Sequence, residues 1–284
     1  MARIIDGKRI SAEERAAISE KVSAFRDING YAPGLAVIIV GSDPASQVYV
    51  RNKKRACEEV GIYSEVIEMP EDTKQSELEE RIASLADNPR IHGILVQLPL
   101  PKHLDEARVI AAIPPEKDVD AFSVENVGRI MLGDFDFLPC TPAGVMTMLR
   151  HENIDVCGKN CVVVGRSNIV GKPMAMLLMH ANGTVTVCHS KTRDLADCTR
   201  RADILVVAIG RAKFIGADMI KPGAVVIDVG MNRDCNGKLC GDVDFDACFE
   251  KAGAITPVPG GVGPMTITSL LQNTLTAAEK FANE

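Results

Sequence analysis

The stretch YVRNKKRACEEVG, residues 49–61, holds four cations, and their spacing sets one apart from the others. At ~100° per residue, Tyr49, Lys53, Ala56, Cys57 and Val60 fall on one helix face, and Arg51, Lys54, Arg55 and Glu58 on the other. Lys53 therefore shares the apolar stripe. A lysine there either snorkels its ammonium to water or sits half-desolvated, where it can act as an acid or base.

Further candidates lie downstream. GILVQLPLP puts one amide, Gln97, at the end of an apolar run closed by Pro99 and Pro101. In an open parallel sheet, ligands bind at the carboxyl ends of strands. A satisfied strand-end amide is an equal reading of Gln97. EKDVDAF offers Asp118 and Asp120 in a loop, where aspartates usually serve as turn or cap residues. TPVPGGVGPMT, residues 256–266, sets three glycines and three prolines ahead of a helix, which suits close backbone contact with a ligand or a linker between domains.

The second half carries CVVVGRSNIVGKP, an apolar strand running into a turn and then a helix. Gly165 and Gly171 let the backbone approach a pyrophosphate, and the following helix N-terminus presents free N–H groups. The spacing departs from G-x-G-x-x-G: Ser167 replaces the middle glycine and the last comes one residue late. About 20 residues on, NAD-binding folds place an acid for the ribose hydroxyl. Here stand His189, Ser190 and Lys191, with Arg166 in the first loop. Without an acid, and with a basic and hydroxylic cluster, the site favours NADP over NAD.

These residues need a scaffold. GLAVIIVG, YSEVIEMP and HGILVQLPLP alternate with helical patterns at about 45–60 and 75–86, so parallel strands joined by crossover helices are expected. The pattern loosens after Pro114, and PAGVMTMLRHENI then starts a helix. CVVVG, TVTVC, ADILVVAIG and GAVVIDVG predict a second parallel sheet, followed by a last helix at about 264–281. The chain of 284 residues is long enough for two domains. A net charge of -6 gives no electrostatic case for nucleic acid or an anionic membrane. Nine cysteines without a C-x-x-C pair read as buried thiols in a reducing compartment and not as a metal site. The opening residues lack the apolar core of a signal peptide, and no apolar run reaches the ~18 residues that span a bilayer. A cytoplasmic location is expected.

Eight stretches together, YVRNKK, GILVQLPLP, KDVDAF, PCTPAGV, VVVGRSNIVGKP, HSKT, VIDVG and TPVPGGVGPMT, resemble the bifunctional methylenetetrahydrofolate dehydrogenase/cyclohydrolase family in order and nearly end to end. The resemblance implies an α/β protein of two domains with a folate cleft between them. Residues 1–140 would form the catalytic domain and 141–263 a Rossmann-type NADP domain, with a final helix (264–284) returning to the first. It also implies Lys53 as the catalytic lysine, Gln97 as its partner, Tyr49 along the folate and Asp120 on the pterin ring. Pro259, Gly260 and Gly261 would line the folate site; Gly165, Arg166, Ser167, Ile169, His189, Ser190, Gly210 and Met231 would contact NADP. The family further implies a homodimer. Competing readings are an NADP oxidoreductase acting on another small substrate, and a nucleotide-binding scaffold without catalysis.

Overall fold

In the computed structural model, which describes residues 1–283, the chain divides into two compact units. One comprises Glu13–Leu138 and the segment from Ile267 on; the other comprises Met1–Ala12 and Pro139–Thr266. The chain opens with a short strand, β1 (Arg3–Ile4), and a long helix, α1 (Gly7–Asn29). Strands β2 (Gly34–Val40), β3 (Tyr63–Met69) and β4 (Gly93–Val96) then alternate with α2 (Pro44–Val60) and α3 (Gln75–Ala86). The three strands form a parallel sheet in the order β3-β2-β4. Every residue of β2 and β4 is buried, as parallel strands covered on both faces require. On one face Ile38, Ile94 and Val96 pack with Leu78, Ile82 and Leu85 of α3.

Helix α2 starts where the Asp43 carboxylate accepts from the Ser46 amide at 2.7 Å, with Pro44 in the first turn, and stops at Gly61 in the left-handed conformation. Val50, Lys53, Ala56, Cys57 and Val60 are buried, while Arg51, Lys54 and Arg55 are exposed. Two short helices follow, α4 (Glu106–Ala111) and α5 (Val124–Leu132), before α6 (Cys140–His151). The loosened pattern after Pro114 thus still holds a helix: Ser123 caps α5 and Gly133 closes it.

The second unit contains β5 (Asn160–Val164), α7 (Gly171–His180), β6 (Thr184–Cys188), α8 (Leu195–Arg200), β7 (Ile204–Val207) and β8 (Val225–Asp228). A hairpin of β9 (Asn232–Arg233) and β10 (Leu239–Cys240), then α9 (Phe245–Phe249), β11 (Ala254–Ile255) and α10 (Val262–Ala282), complete the chain. Six strands pair in the order β6-β5-β7-β8-β11-β1, all parallel. Because β1 is the edge of this sheet, residues 1–12 fold with the second unit, although the sequence division groups them with the first. From Ile267 on, α10 packs in the first unit: Asn273 Nδ2 donates to the carbonyls of Val119 and Leu138, both at 2.8 Å.

Candidate functional site

Lys53 is only 8% exposed, and its Nζ donates to Gln97 Oε1 at 3.0 Å. Gln97 follows β4 directly. Its N–H continues the sheet ladder by donating to the Ile38 carbonyl at 2.8 Å, and its Nε2 donates to the Leu98 carbonyl at 2.7 Å. That second bond fixes the amide with its oxygen toward Lys53, so the ammonium keeps an acceptor after losing most of its water. Tyr49 stands one turn before Lys53 on α2, half-buried, and burial pushes its phenol above the ordinary value. It therefore remains a neutral hydroxyl able to donate and accept. One turn beyond Lys53, burial pushes the Cys57 thiol up to about 12, which leaves no thiolate to act as a nucleophile.

The two loop aspartates play different parts. Asp118 is 2% exposed and accepts from the Ser123 amide at 2.7 Å and from Asn126 Nδ2 at 3.0 Å. It shapes the loop in the way a turn aspartate does. Asp120 is half-buried and lines a small cavity of about 20 Å³, room for one water, together with Leu98 and Phe122. Lys53, Gln97 and Asp120 all belong to the first unit. A larger hollow of about 580 Å³ is lined by Gln47, Arg51, Lys54 and Glu68 and includes none of these three residues.

In the second unit the strand order reverses around β5, with β6 on one side and β7 on the other. Gly165, which follows β5, has φ +135°, and a Cβ on it would stand 2.3 Å from the Ala208 carbonyl oxygen. The loops after β5 and β7 therefore meet backbone to backbone. A Cβ on Gly171 would lie 2.4 Å from the Gly165 oxygen, so the first turn of α7 also approaches the loop closely. Ser167 Oγ accepts from the amides of Val170 (3.2 Å) and Gly171 (3.3 Å). Arg166, Ser167 and Ile169 are exposed around this turn.

After β6, the His189 amide donates to Thr192 Oγ1 at 2.8 Å and its Nδ1 accepts from the Lys191 amide at 3.1 Å, which leaves Ser190 and Lys191 exposed. Gly210 (φ +65°) and Met231 (46% exposed) follow β7 and β8. Pro259, Gly260 and Gly261 also belong to the second unit and not to the unit of Lys53; Gly260 accepts from the Lys8 amide at 3.1 Å. Two residues that the sequence reading passed over, Asp228 and Asp242, hold the loops after β7 and β8. A buried carboxylate shared among backbone amides has no spacing signature. Among the described residues no group of three or more His, Cys, Asp or Glu could hold a metal ion, and no helix is long and apolar enough to cross a membrane.

Two family models match the chain: the tetrahydrofolate dehydrogenase/cyclohydrolase catalytic domain over residues 5–120 and the tetrahydrofolate dehydrogenase/cyclohydrolase NAD(P)-binding domain over residues 139–282. The chain is similar to the bifunctional protein FolD of Moorella thermoacetica, 61% identical over 279 residues that cover 98% of this chain and 99% of the relative. Its structure is similar to that of the bifunctional FolD enzyme of Campylobacter jejuni, with a TM-score of 0.96, 48% identity and 99% of each chain covered. It also resembles the Trypanosoma brucei FolD solved with NADP cofactor and inhibitor, with a TM-score of 0.96, 40% identity, and 100% and 99% covered.

Proposed function

The chain belongs to the tetrahydrofolate dehydrogenase/cyclohydrolase family, and we infer that Lys53, Gln97, Tyr49 and Asp120 are the residues with which it works on folate. The enzyme oxidises 5,10-methylenetetrahydrofolate with NADP to the 5,10-methenyl cation and hydrolyses that cation to 10-formyltetrahydrofolate.

The residues around β5 suit a dinucleotide: Gly165 and Gly171 let the turn close tightly onto the start of α7, a helix N-terminus that suits a pyrophosphate, and Arg166, Ser190 and Lys191 offer charge and hydroxyl to a 2'-phosphate. Ser167, Ile169, His189, Gly210 and Met231 complete the proposed contacts. When bound, NADP supplies the hydride acceptor. The protein's task in that step is to hold the folate in orientation. Asp120 does so by accepting hydrogen bonds from the pterin edge, and Tyr49 by lying along the ring. Pro259, Gly260 and Gly261 add backbone contacts.

Hydrolysis needs a proton taken from the attacking water and one delivered to the departing ring nitrogen. Lys53 Nζ is the group proposed for both transfers, with Gln97 Oε1 holding it in position. The single observation carrying this reading is that bond of 3.0 Å from a buried lysine to an amide already fixed by its own backbone. An absorbance trace of the enzyme with methylenetetrahydrofolate and NADP is expected to show methenyl product rise and then decay to formyl product. A trace in which no methenyl species forms, or in which it forms and persists, overturns the reading.

We further propose that the protein works in the cytoplasm as a homodimer, with a small-molecule folate as partner and no nucleic acid. The net charge of -6 argues against nucleic acid, and the open edge of β3 offers a strand on which two copies could pair; light scattering tests the subunit number.

A further inference from the structure

Asp228 ends β8 and is 3% exposed; Asp242 follows β10 and is fully buried. Both carboxylates are held mainly by backbone amides. Asp228 Oδ1 accepts from Gly230 and Asp242, and its Oδ2 from Val243, each at 2.9 Å. Asp242 accepts from three consecutive amides: Ile209 at 2.7 Å and Gly210 at 3.1 Å on Oδ2, and Arg211 at 2.6 Å on Oδ1. Its Oδ1 also takes Asn232 Nδ2 at 2.9 Å.

Two glycines make room for this arrangement. A Cβ on Gly241 would stand 1.8 Å from Asp228 Oδ2, and one on Gly230 would stand 2.4 Å from Asp242 Cγ. Successive amides converging on one point form the kind of nest that binds anions. Here the protein fills the nest with its own carboxylate. The loop after β7 is thereby fixed by an internal anion, and through Asn232 the same anion fixes the loop after β8. Those loops carry Gly210 and Met231 at the carboxyl ends of adjacent parallel strands, the end at which open sheets bind ligands.

We propose that Asp242, buttressed by Asp228, is a positioning residue for the cofactor: it sets the backbone of residues 209–211 and 230–232, against which the dinucleotide lies, without touching it. The inference rests on the reading of Gly210 and Met231 as cofactor contacts. A purely architectural carboxylate would, when altered, lower the melting temperature and both reactions together. A positioning carboxylate raises the KM for NADP and spares the hydrolysis of supplied methenyltetrahydrofolate, which uses no cofactor.

The test is Asp242→Asn in the full-length enzyme, which keeps the shape but puts an amide donor where an oxygen met N–H groups. The KM and Kd for NADP are expected to rise by on the order of 10-fold or more, since several donors lose a charged acceptor. Hydrolysis of supplied methenyltetrahydrofolate is expected to persist. A folded variant that binds NADP as the wild type does, or that loses both reactions in equal proportion, overturns the inference. If Asp242→Asn does not fold, Asn232→Ala leaves both carboxylates in place and removes only the link to the loop after β8. It is expected to raise the NADP KM by roughly a few-fold, and an unchanged KM overturns the inference. Arg166→Ala measured alongside separates the two levels: if it too binds NADP normally, the cofactor reading itself is wrong, whereas a weakened Arg166→Ala beside a normal Asp242→Asn removes only the role of Asp242.

Discussion

Lys53 is buried at a cost that only a fixed partner offsets, and Gln97 is fixed because both its backbone and its side-chain nitrogen are already committed. Lys53→Met keeps the packing of the stem and removes the ammonium. Proton transfer by a positioned side chain contributes ~10²–10⁴-fold, and the hydrolysis requires it while hydride transfer has no obligatory proton to move. The cyclohydrolase is therefore expected to fall by that order while a measurable dehydrogenase survives, so that methenyl product accumulates in the absorbance trace. Hydrolysis at the wild-type rate, corrected for the spontaneous reaction, would leave Lys53 a structural lysine held by Gln97 with no part in the proton transfers. Arg166 makes a second residue-scale case. Being exposed beside the Gly165 turn, it is proposed to grip the 2'-phosphate that only NADP carries. Arg166→Ala is expected to raise the KM for NADP much more than that for NAD; equal increases for both would assign it another task.

At the scale of elements, the features that were legible in the sequence are those with a period or a breaker. The stripe of α2 was readable because five of its positions, Tyr49, Lys53, Ala56, Cys57 and Val60, repeat at helical spacing, and the structure buries Lys53 among them. Strands β2, β5, β7 and β8 were readable as apolar runs closed by turn residues. The run containing Gln97 gave the strand but not its end: β4 stops at Val96, although the apolar run continues to Pro101. Strands β1 and β11, two residues each, are too short to show alternation and exist only through their pairing. Helix α5 was illegible because its nine residues are too few to establish a helical period, and Ile130 is the one apolar residue it buries, beside exposed Val124, Val127, Met131 and Leu132. Asp118 and Asp120 could not be told apart, because what separates them is the partners Ser123 and Asn126 beyond the loop. The Gly165 turn is the element where backbone conformation decides most. In Gly165→Ala the new methyl meets the Ala208 carbonyl in a conformation that alanine rarely adopts, at a cost of on the order of 1–3 kcal/mol. A lower melting temperature and a raised KM for NADP are expected, with the hydrolysis of supplied methenyltetrahydrofolate retained; kinetics and melting like the wild type would show that the turn tolerates a side chain.

At the scale of the molecule, two buried groups make opposite demands on pH, one in each unit. His92 Nδ1 accepts from the Gly34 amide at 2.9 Å, so its proton sits on Nε2, which is buried without a hydrogen-bond partner between Tyr31 and Phe281. Burial, helped by the charge of Lys117, lowers its pKa from 6.5 to about 4. The unfolded chain then takes the proton first as pH falls, so this contribution is fully present above about 6.5 and is lost toward about 4. Asp228 behaves in the reverse sense. Burial outweighs its three amide bonds, and with the neighbouring charge of Asp242 it raises the pKa from 3.8 to about 7. The folded chain takes that proton first, so the contribution is complete below about 3.8 and is lost as pH rises to about 7. Each is on the order of 3 kcal/mol across its window, so between about pH 4 and 6.5 they largely cancel. The wild-type melting temperature is expected to be nearly flat over that range. In His92→Gln, which keeps an acceptor for Gly34, it should fall as pH rises; in Asp228→Asn, whatever the loss of absolute stability, it should rise. The comparison is of slopes measured by calorimetry on the same buffer series, and two variants whose slopes both match the wild type would show that neither group titrates on unfolding.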